Sequence, residues 1–398
     1  MERFNLNTIK NKLIEFIKQE TVLLVAFILA VVSMFFVPPS ASYIEYIDFK
    51  VLGILLSLMI IMSALQRTGI FDRIGISLLN HTKTTRQLYL VLVLLCFFSS
   101  MLITNDVALI TFVPFAMLIL KKAQLENDII FVLVMQTIGA NLGSMLTPVG
   151  NPQNLYLYNI SNTSIVDFLM LTLPYTAISF VLISMAVCCR KSTSINIKLQ
   201  DENSTNMNQF DKPKTTDTKN SKHNTYMIFI YSILFILGIL TVCRVIPYYI
   251  LLAIVVIAVI ICDKKTFAYV DYSLIFTFIC FFIFIGNLGN IQYIKEFLES
   301  VVKGNEVITG VVASQAISNV PAGLMLSGFT ENYSMLTIGV NIGGLGTLIA
   351  SMASLISYKL YAHSYNQNKG KYFACFTIWN LVFLAILIVS HYGITCIK

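Results

Sequence analysis

Runs of apolar residues roughly 17 to 25 long recur along the whole chain, the length a helix needs to cross a hydrocarbon core of about 30 Å. Read as spanning segments, 21–38, 48–66, 129–158, 168–188, 225–243, 247–262, 273–290, 335–360 and 372–393 make nine crossings. Two further apolar stretches, 89–120 and 305–328, are interrupted midway by polar residues and read as re-entrant hairpins that enter and leave on the same side. Before the first span, residues 1–20 put Ile9, Leu13 and Ile17 on one helical face among lysines, the pattern of an interfacial helix. The span that follows is succeeded by no small-residue cleavage site and reads as a retained helix. Residues 191–224 are polar and without periodicity, a flexible cytoplasmic linker. The expected organisation is an interfacial helix (1–20), a first repeat (21–190), the linker (191–224), and an extra helix with a second repeat (225–398).

Composition agrees with the pattern. With 57% hydrophobic and 12% charged residues and a mean hydropathy of +0.77, the 398-residue chain lies outside the range of a soluble domain. The fold class is an all-α polytopic membrane protein. A net charge of +7 suggests nucleic acid in a soluble protein, but here its placement encodes topology. With the N-terminus inside, 22 of the 27 Lys and Arg fall on cytoplasmic segments, leaving Lys50, Arg244, Lys295, Lys303 and Lys398 outside. A full crossing by either interrupted stretch would switch every later loop and weaken that bias. The expected location is a bacterial inner membrane, N-terminus cytoplasmic and C-terminus outside. The eight cysteines are scattered without metal-ligand spacing and read as small apolar residues, with only the adjacent Cys188 and Cys189 keeping a claim on thiol chemistry.

The two halves match. "YIDFKVLGILL" from Tyr46 aligns with "YVDYSLIFTFI" from Tyr269, "SMLITNDVA" from Ser100 with "SQAISNVPA" from Ser314, and "GANLGSMLT" from Gly139 with "GVNIGGLGT" from Gly339. Chance likeness between apolar helices would pair leucines and valines, whereas these matches fall on Gly, Asn, Asp and Thr. Each repeat core makes four crossings and one extra helix lies between them. The second core therefore starts on the opposite side, and the repeats are inverted, an architecture of secondary transporters.

Irregular backbone inside a bilayer is tolerated only where it lines a cavity or is buried in protein. In "GSMLTPVGNPQN" Pro148 and Pro152 break a helix, Gly143 and Gly150 relax it, and Asn151, Gln153 and Asn154 stand beside the break. Carbonyls unwound there can bind a cation, and the N–H groups of the following half-helix can bind an anion. The second break, "GGLGTLIASMAS" from Gly343, has glycines and Ser351 but no proline, and close helix packing uses the same residues. The hairpin turns supply Thr104, Asn105 and Asp106 in one repeat and Ser318, Asn319 and Pro321 in the other. Asp106 is the only acid at either turn or break, and an ionisable group at that depth is a functional candidate. A helix-capping role for it is compatible with that.

Asn-containing hairpin tips, "TPVGNPQN" and its GxNxG counterpart resemble the ion transporter superfamily, from about residue 20 onward. That group holds the divalent anion:sodium symporters, citrate transporters, arsenite permeases and related sodium/proton antiporters. Its dicarboxylate branch carries Ser-Asn-Thr at both tips. This chain has "TND" and "SNV", closer to the arsenite permease side and to anion permeases of the same group. The resemblance implies a scaffold domain, a mobile domain that carries substrate as an elevator, and a homodimer. By position it implies one cation site at Thr104, Asn105, Thr147 and Asn151 and another at Ser318, Asn319, Gly343 and Thr347. The expected substrate-binding residues are Thr104, Asn105, Asn151, Ser318, Asn319 and Thr347, and the expected coupling residues are Asp106, Thr147, Gly150 and Gly343. The expected function is secondary active transport (symport) of a small inorganic oxyanion or carboxylate. No cofactor is implied beyond sodium or a proton as the coupling ion, and no nucleic-acid partner. A sodium/proton antiporter or arsenite efflux permease, with Asp106 as relay, is the alternative, and a channel would show the same residues. An enzyme is disfavoured: there is no GxGD or HExxH, and His81, His223, His363 and His391 lie in loops or at helix ends.

Overall fold

The structure is a computed structural model that describes residues 20–79, 82–195, 221–365 and 368–397. The expected interfacial helix, all but its last residue, and most of the expected linker lie outside the described residues. The first half holds α1 (Thr21–Met34), α2 (Ser42–Tyr46), α3 (Phe49–Arg67), α4 (Ile70–Leu79), α5 (Thr85–Ile103), α6 (Asn105–Lys122), α7 (Ile129–Gly143), α8 (Pro152–Ile160) and α9 (Ile165–Cys188). The second half holds α10 (Ser221–Val242), α11 (Tyr248–Cys262), α12 (Tyr272–Gly289), α13 (Gln292–Val302), α14 (Glu306–Ile317), α15 (Asn319–Ser327), α16 (Tyr333–Gly343), α17 (Met352–Ser364) and α18 (Lys369–Ile397).

Among the described residues seven helical stretches are long and apolar enough to cross a membrane: α3, α5, α7 with its 3-10 extensions, α9, α10 from Asn224, α12 and α18. Six of the seven answer to expected spans; the seventh, α5, was expected as one limb of the hairpin over 89–120 but has 19 residues and is long enough to cross, while three of the nine expected spans fall short. Helices α1 and α11 have 14 and 15 residues, which at 1.5 Å per residue is about 21 to 23 Å, short of the core thickness. The segments 129–158 and 335–360 are each divided in two. Helices α4 and α13, amphipathic and at equivalent places in the two halves, were expected only as connections.

Local geometry repeats position by position. Asp48 caps α3 by accepting from the Val51 N–H, and Asp271, in nearly the same backbone conformation (φ −79° and −78°), caps α12 by accepting from the Ser273 N–H. Helices α7 and α16 end at Gly143 and Gly343, and each of these glycines packs on a neighbour too closely for a side chain. A Cβ at Gly143 would meet the Phe97 carbonyl on α5 at 2.1 Å, and one at Gly343 would meet Ser314 on α14 at 2.7 Å. The breaks then run over equal lengths, to α8 with Pro152 at its first position, where proline's fixed φ suits a helix start, and to α17 behind Ser351. Asn151 and Ser351, just before these helices, have almost the same extended conformation (φ −145° and −144°).

Two apolar cores hold the molecule. One gathers α5, α6, α7, α9, α17 and α18, and the other the first half of α3 with α8, α12 and α15. The halves interlock between them: α17 packs against α6, and α8 against α15 and α16.

Candidate functional site

Both helix pairs, α5–α6 and α14–α15, turn on one residue. Thr104 sits at φ 60°, ψ 149° and Ser318 at φ 75°, ψ 154°, a region that is nearly exclusive to glycine and costs of order 1–3 kcal/mol. The turns are held from outside. The Asn105 N–H donates to the Gly150 carbonyl at 3.2 Å, and the Asn319 N–H to the Ala350 carbonyl at 2.9 Å. The Thr147 hydroxyl donates to the Met101 carbonyl, and its equivalent, Thr347, to the Gln315 carbonyl. Each break is thus bolted to the tip of the helix pair in its own half by the same two bonds.

The side chains cross over. Asn141 Oδ1 accepts from Asn105 Nδ2 at 3.0 Å and from the Ser351 hydroxyl at 2.9 Å, while its Nδ2 donates to Ser354 Oγ at 3.3 Å and to the Gly344 carbonyl at 3.4 Å. Asn341, the equivalent residue, accepts from Asn151 Nδ2 at 3.4 Å and donates to Asn154 Oδ1 at 2.6 Å and the Thr337 carbonyl at 2.7 Å. Each GxNxG asparagine therefore reads the break of the other half, and Ser351 and Ser354 stand where Asn151 and Asn154 stand. Asn319 adjoins the same centre: a Cβ on Gly344 would lie 2.9 Å from its Nδ2. All of these side chains are buried.

Of the expected residues, Asn105, Asn151, Ser318 and Asn319 are buried at this centre, with Gly150 and Gly343 contributing backbone. Thr104, Asp106 and Thr147 are half-buried beside it, and Thr347 is exposed at its rim. Asp106 lies in the first turn of α6, where its charge suits the helix dipole, but the capping position is Thr104. Asp106 Oδ1, Asn151 Oδ1 and both polar atoms of Gln153 are buried with no hydrogen-bond partner among the described residues. A cavity of about 40 Å³ lies between Leu55, Leu58, Met59 and Met62 of α3 and Thr104, Asn151 and Pro152. That is room for a few water molecules.

Sequence reading missed Asn141, Asn341, Asn154, Ser354 and Gln315 as site residues. The signal for the first two was present, since they are the polar identities in the aligned repeats. A buried acid was missed as well: Glu306, at the far end of α14 from the tip, accepts from the Thr330 hydroxyl at 2.8 Å and the Gly304 N–H at 3.1 Å. Among the described residues no cluster of His, Cys, Asp and Glu could hold a metal ion.

A family model described as citrate transporter matches residues 13–332. An uncharacterized transporter of Methanocaldococcus jannaschii is 32% identical over 320 residues, 79% of this chain and 81% of that protein. The inner membrane protein YbiR of Escherichia coli is 28% identical over 331 residues, 82% and 84% of the two chains. A silicon efflux transporter of Oryza sativa subsp. japonica is 32% identical over 128 residues, 32% of this chain and 26% of that one. Together with apolar helices that suit repeated membrane crossing, the extent of these matches shows that the chain belongs to the citrate transporter family and is a multi-pass membrane transporter of a small molecule.

Proposed function

We propose that the protein is a secondary active transporter of a small anion, an inorganic oxyanion or a carboxylate, bound near the bilayer midplane between the two tips. The observation that carries the reading is the meeting of two tips and two breaks at one buried polar centre in an otherwise apolar molecule. Irregular backbone and a row of asparagines at that depth are costly unless they serve a solute. The N-terminal turns of α8 and α17 leave backbone N–H groups without intrahelical acceptors, which suits an anion. The matching local geometry of the halves supports inverted repeats with re-entrant hairpins, and the interlocked α6–α17 and α8–α15 pairs suit a unit that moves as an elevator within a homodimer. The E. coli relative, named as an inner membrane protein, supports an inner-membrane location, and the distribution of Lys and Arg supports an N-terminus inside and a C-terminus outside.

The test is uptake into liposomes of radiolabelled citrate, succinate, phosphate, sulfate and arsenite. Asn105→Ala and Asn319→Ala should each abolish uptake of the transported anion and leave a monodisperse, helical protein. Unchanged uptake would reject the site. A second reading, a sodium/proton antiporter or an efflux permease for arsenite-like solutes, is favoured by the unpartnered, buried Asp106 Oδ1. In that case Asp106→Asn, which keeps the shape and removes the charge, eliminates the pH dependence of flux; a pH profile equal to wild type excludes Asp106 as the relay.

A further inference from the structure

Where a spanning helix unwinds, its last carbonyls lose their intrahelical donors, and in transporters such oxygens coordinate the driving cation. Here both sets are already engaged. Asn154 Nδ2 donates to the carbonyls of Ser144, Met145 and Thr147 at 3.2, 3.3 and 3.2 Å. Gln315 Nε2 donates to the carbonyls of Val311, Gly343 and Leu345 at 3.1, 2.9 and 2.9 Å. In each break a primary amide occupies the point where carbonyl dipoles converge, the Asn154 hydrogens shared among three carbonyls of the break and those of Gln315 among two, with the Val311 carbonyl of its own helix as the third. Its partial positive charge has the sign a bound cation would have there.

The orientation of both amides is fixed from the other end. Asn154 Oδ1 accepts from Asn341 Nδ2 at 2.6 Å, and Gln315 Oε1 accepts from the Thr347 N–H at 2.9 Å. Flipping either amide would set its oxygen against three carbonyls and its nitrogen against a donor. The two amides also come from unlike places. Asn154 belongs to the helix after its own break, where the second half has Ser354, whereas Gln315 belongs to the helix before the tip, where the first half has Met101. The same filling thus arises twice without being a relic of duplication.

We propose that Asn154 and Gln315 stand in for a cation at the two breaks, so that neither break is a sodium site and transport runs without a sodium gradient. This rests on the transporter reading above. The test has an arm that needs no transport: melting of purified wild-type protein over a series of NaCl concentrations, with choline chloride keeping ionic strength constant. The expected result is a melting temperature independent of sodium, and saturable stabilisation by sodium overturns the proposal. Asn154→Ser and Gln315→Met place at each position the residue of the other half and free the carbonyls. Each folded variant should gain stabilisation that grows with sodium; a folded variant indifferent to sodium shows that the amide does not sit in a cation's place. Liposome uptake of the transported anion, equal with and without a sodium gradient, is expected as the second arm, and sodium-driven uptake overturns the proposal. Absence of uptake for every anion would instead strike the transporter reading and leave the melting arm to decide this one.

Discussion

Asn141 is worth more than its four hydrogen bonds suggest, because the groups they satisfy are buried. Truncating it leaves Asn105, Ser351 and Ser354 each short of a partner, and each buried group left unpaired costs about 1–3 kcal/mol. Asn141→Ala should therefore lower stability by several kcal/mol, on the order of the whole margin of a typical domain. Thr347→Ala, at an exposed hydroxyl, should cost less than about 1 kcal/mol. Parallel thermal melts in detergent compare the two, and equal shifts would mean that the crossed network is not holding the centre together. Repeat alignment made Asn141 and Asn341 visible in the sequence. The partners that each finds in the other half were not, since they lie 187 to 213 residues away. No local pattern carries that distance.

At the scale of elements the sequence spoke most clearly where physics is local. Apolar runs gave the long helices, and the prolines of "TPVGNPQN" gave the first break, with Pro152 opening α8 and Pro148 in the connection. The second break has no proline and was the weaker expectation, because Gly and Ser equally serve close packing. It forms through Gly346, which adopts φ +108° and leaves no room for a Cβ, the Gln315 amide oxygen being 2.2 Å away. Both demands exclude a side chain. Gly346→Ala should thus cost about 1–3 kcal/mol from the backbone alone and push Gln315 off the carbonyls it caps. The variant should melt lower than wild type and exchange the backbone amides of 344–351 faster with deuterium. Unaltered exchange there would show that the break does not depend on this conformation. The amphipathic α4 and α13 escaped notice because ten or eleven residues between spans read as a connection unless their periodicity is weighed separately.

On the scale of the molecule, the division into halves that the sequence displays is not a division of the packing. The second part of each broken helix rests on the other half, α8 on α15 and α17 on α6, so the moving unit of the proposed elevator draws on both repeats and has to slide along what remains. One such wall is α3, whose Leu55, Leu58, Met59 and Met62 face Thr104 and Asn151 across the cavity of about 40 Å³. Apolar side chains on one side and a polar tip on the other make a surface with few directional bonds to break, among them the bond at 3.1 Å from Gln66 of α3 to Thr111 of α6 and the one at 3.4 Å from Asn159 of α8 to Asp48, the cap of α3. A space for a few waters does not admit a tricarboxylate, so on the proposed reading binding of one here would require this wall and the tip to part. Met59→Trp fills the gap with a rigid side chain. It should reduce uptake more than tenfold, a barrier increase of about 1.4 kcal/mol or more, while overpacking lowers stability by only about 1–3 kcal/mol. Uptake and melting measured on the same preparation separate the effects. Full uptake with the cavity filled would place the sliding surface elsewhere than α3, and loss of fold would be reported by the melt rather than mistaken for a blocked carrier.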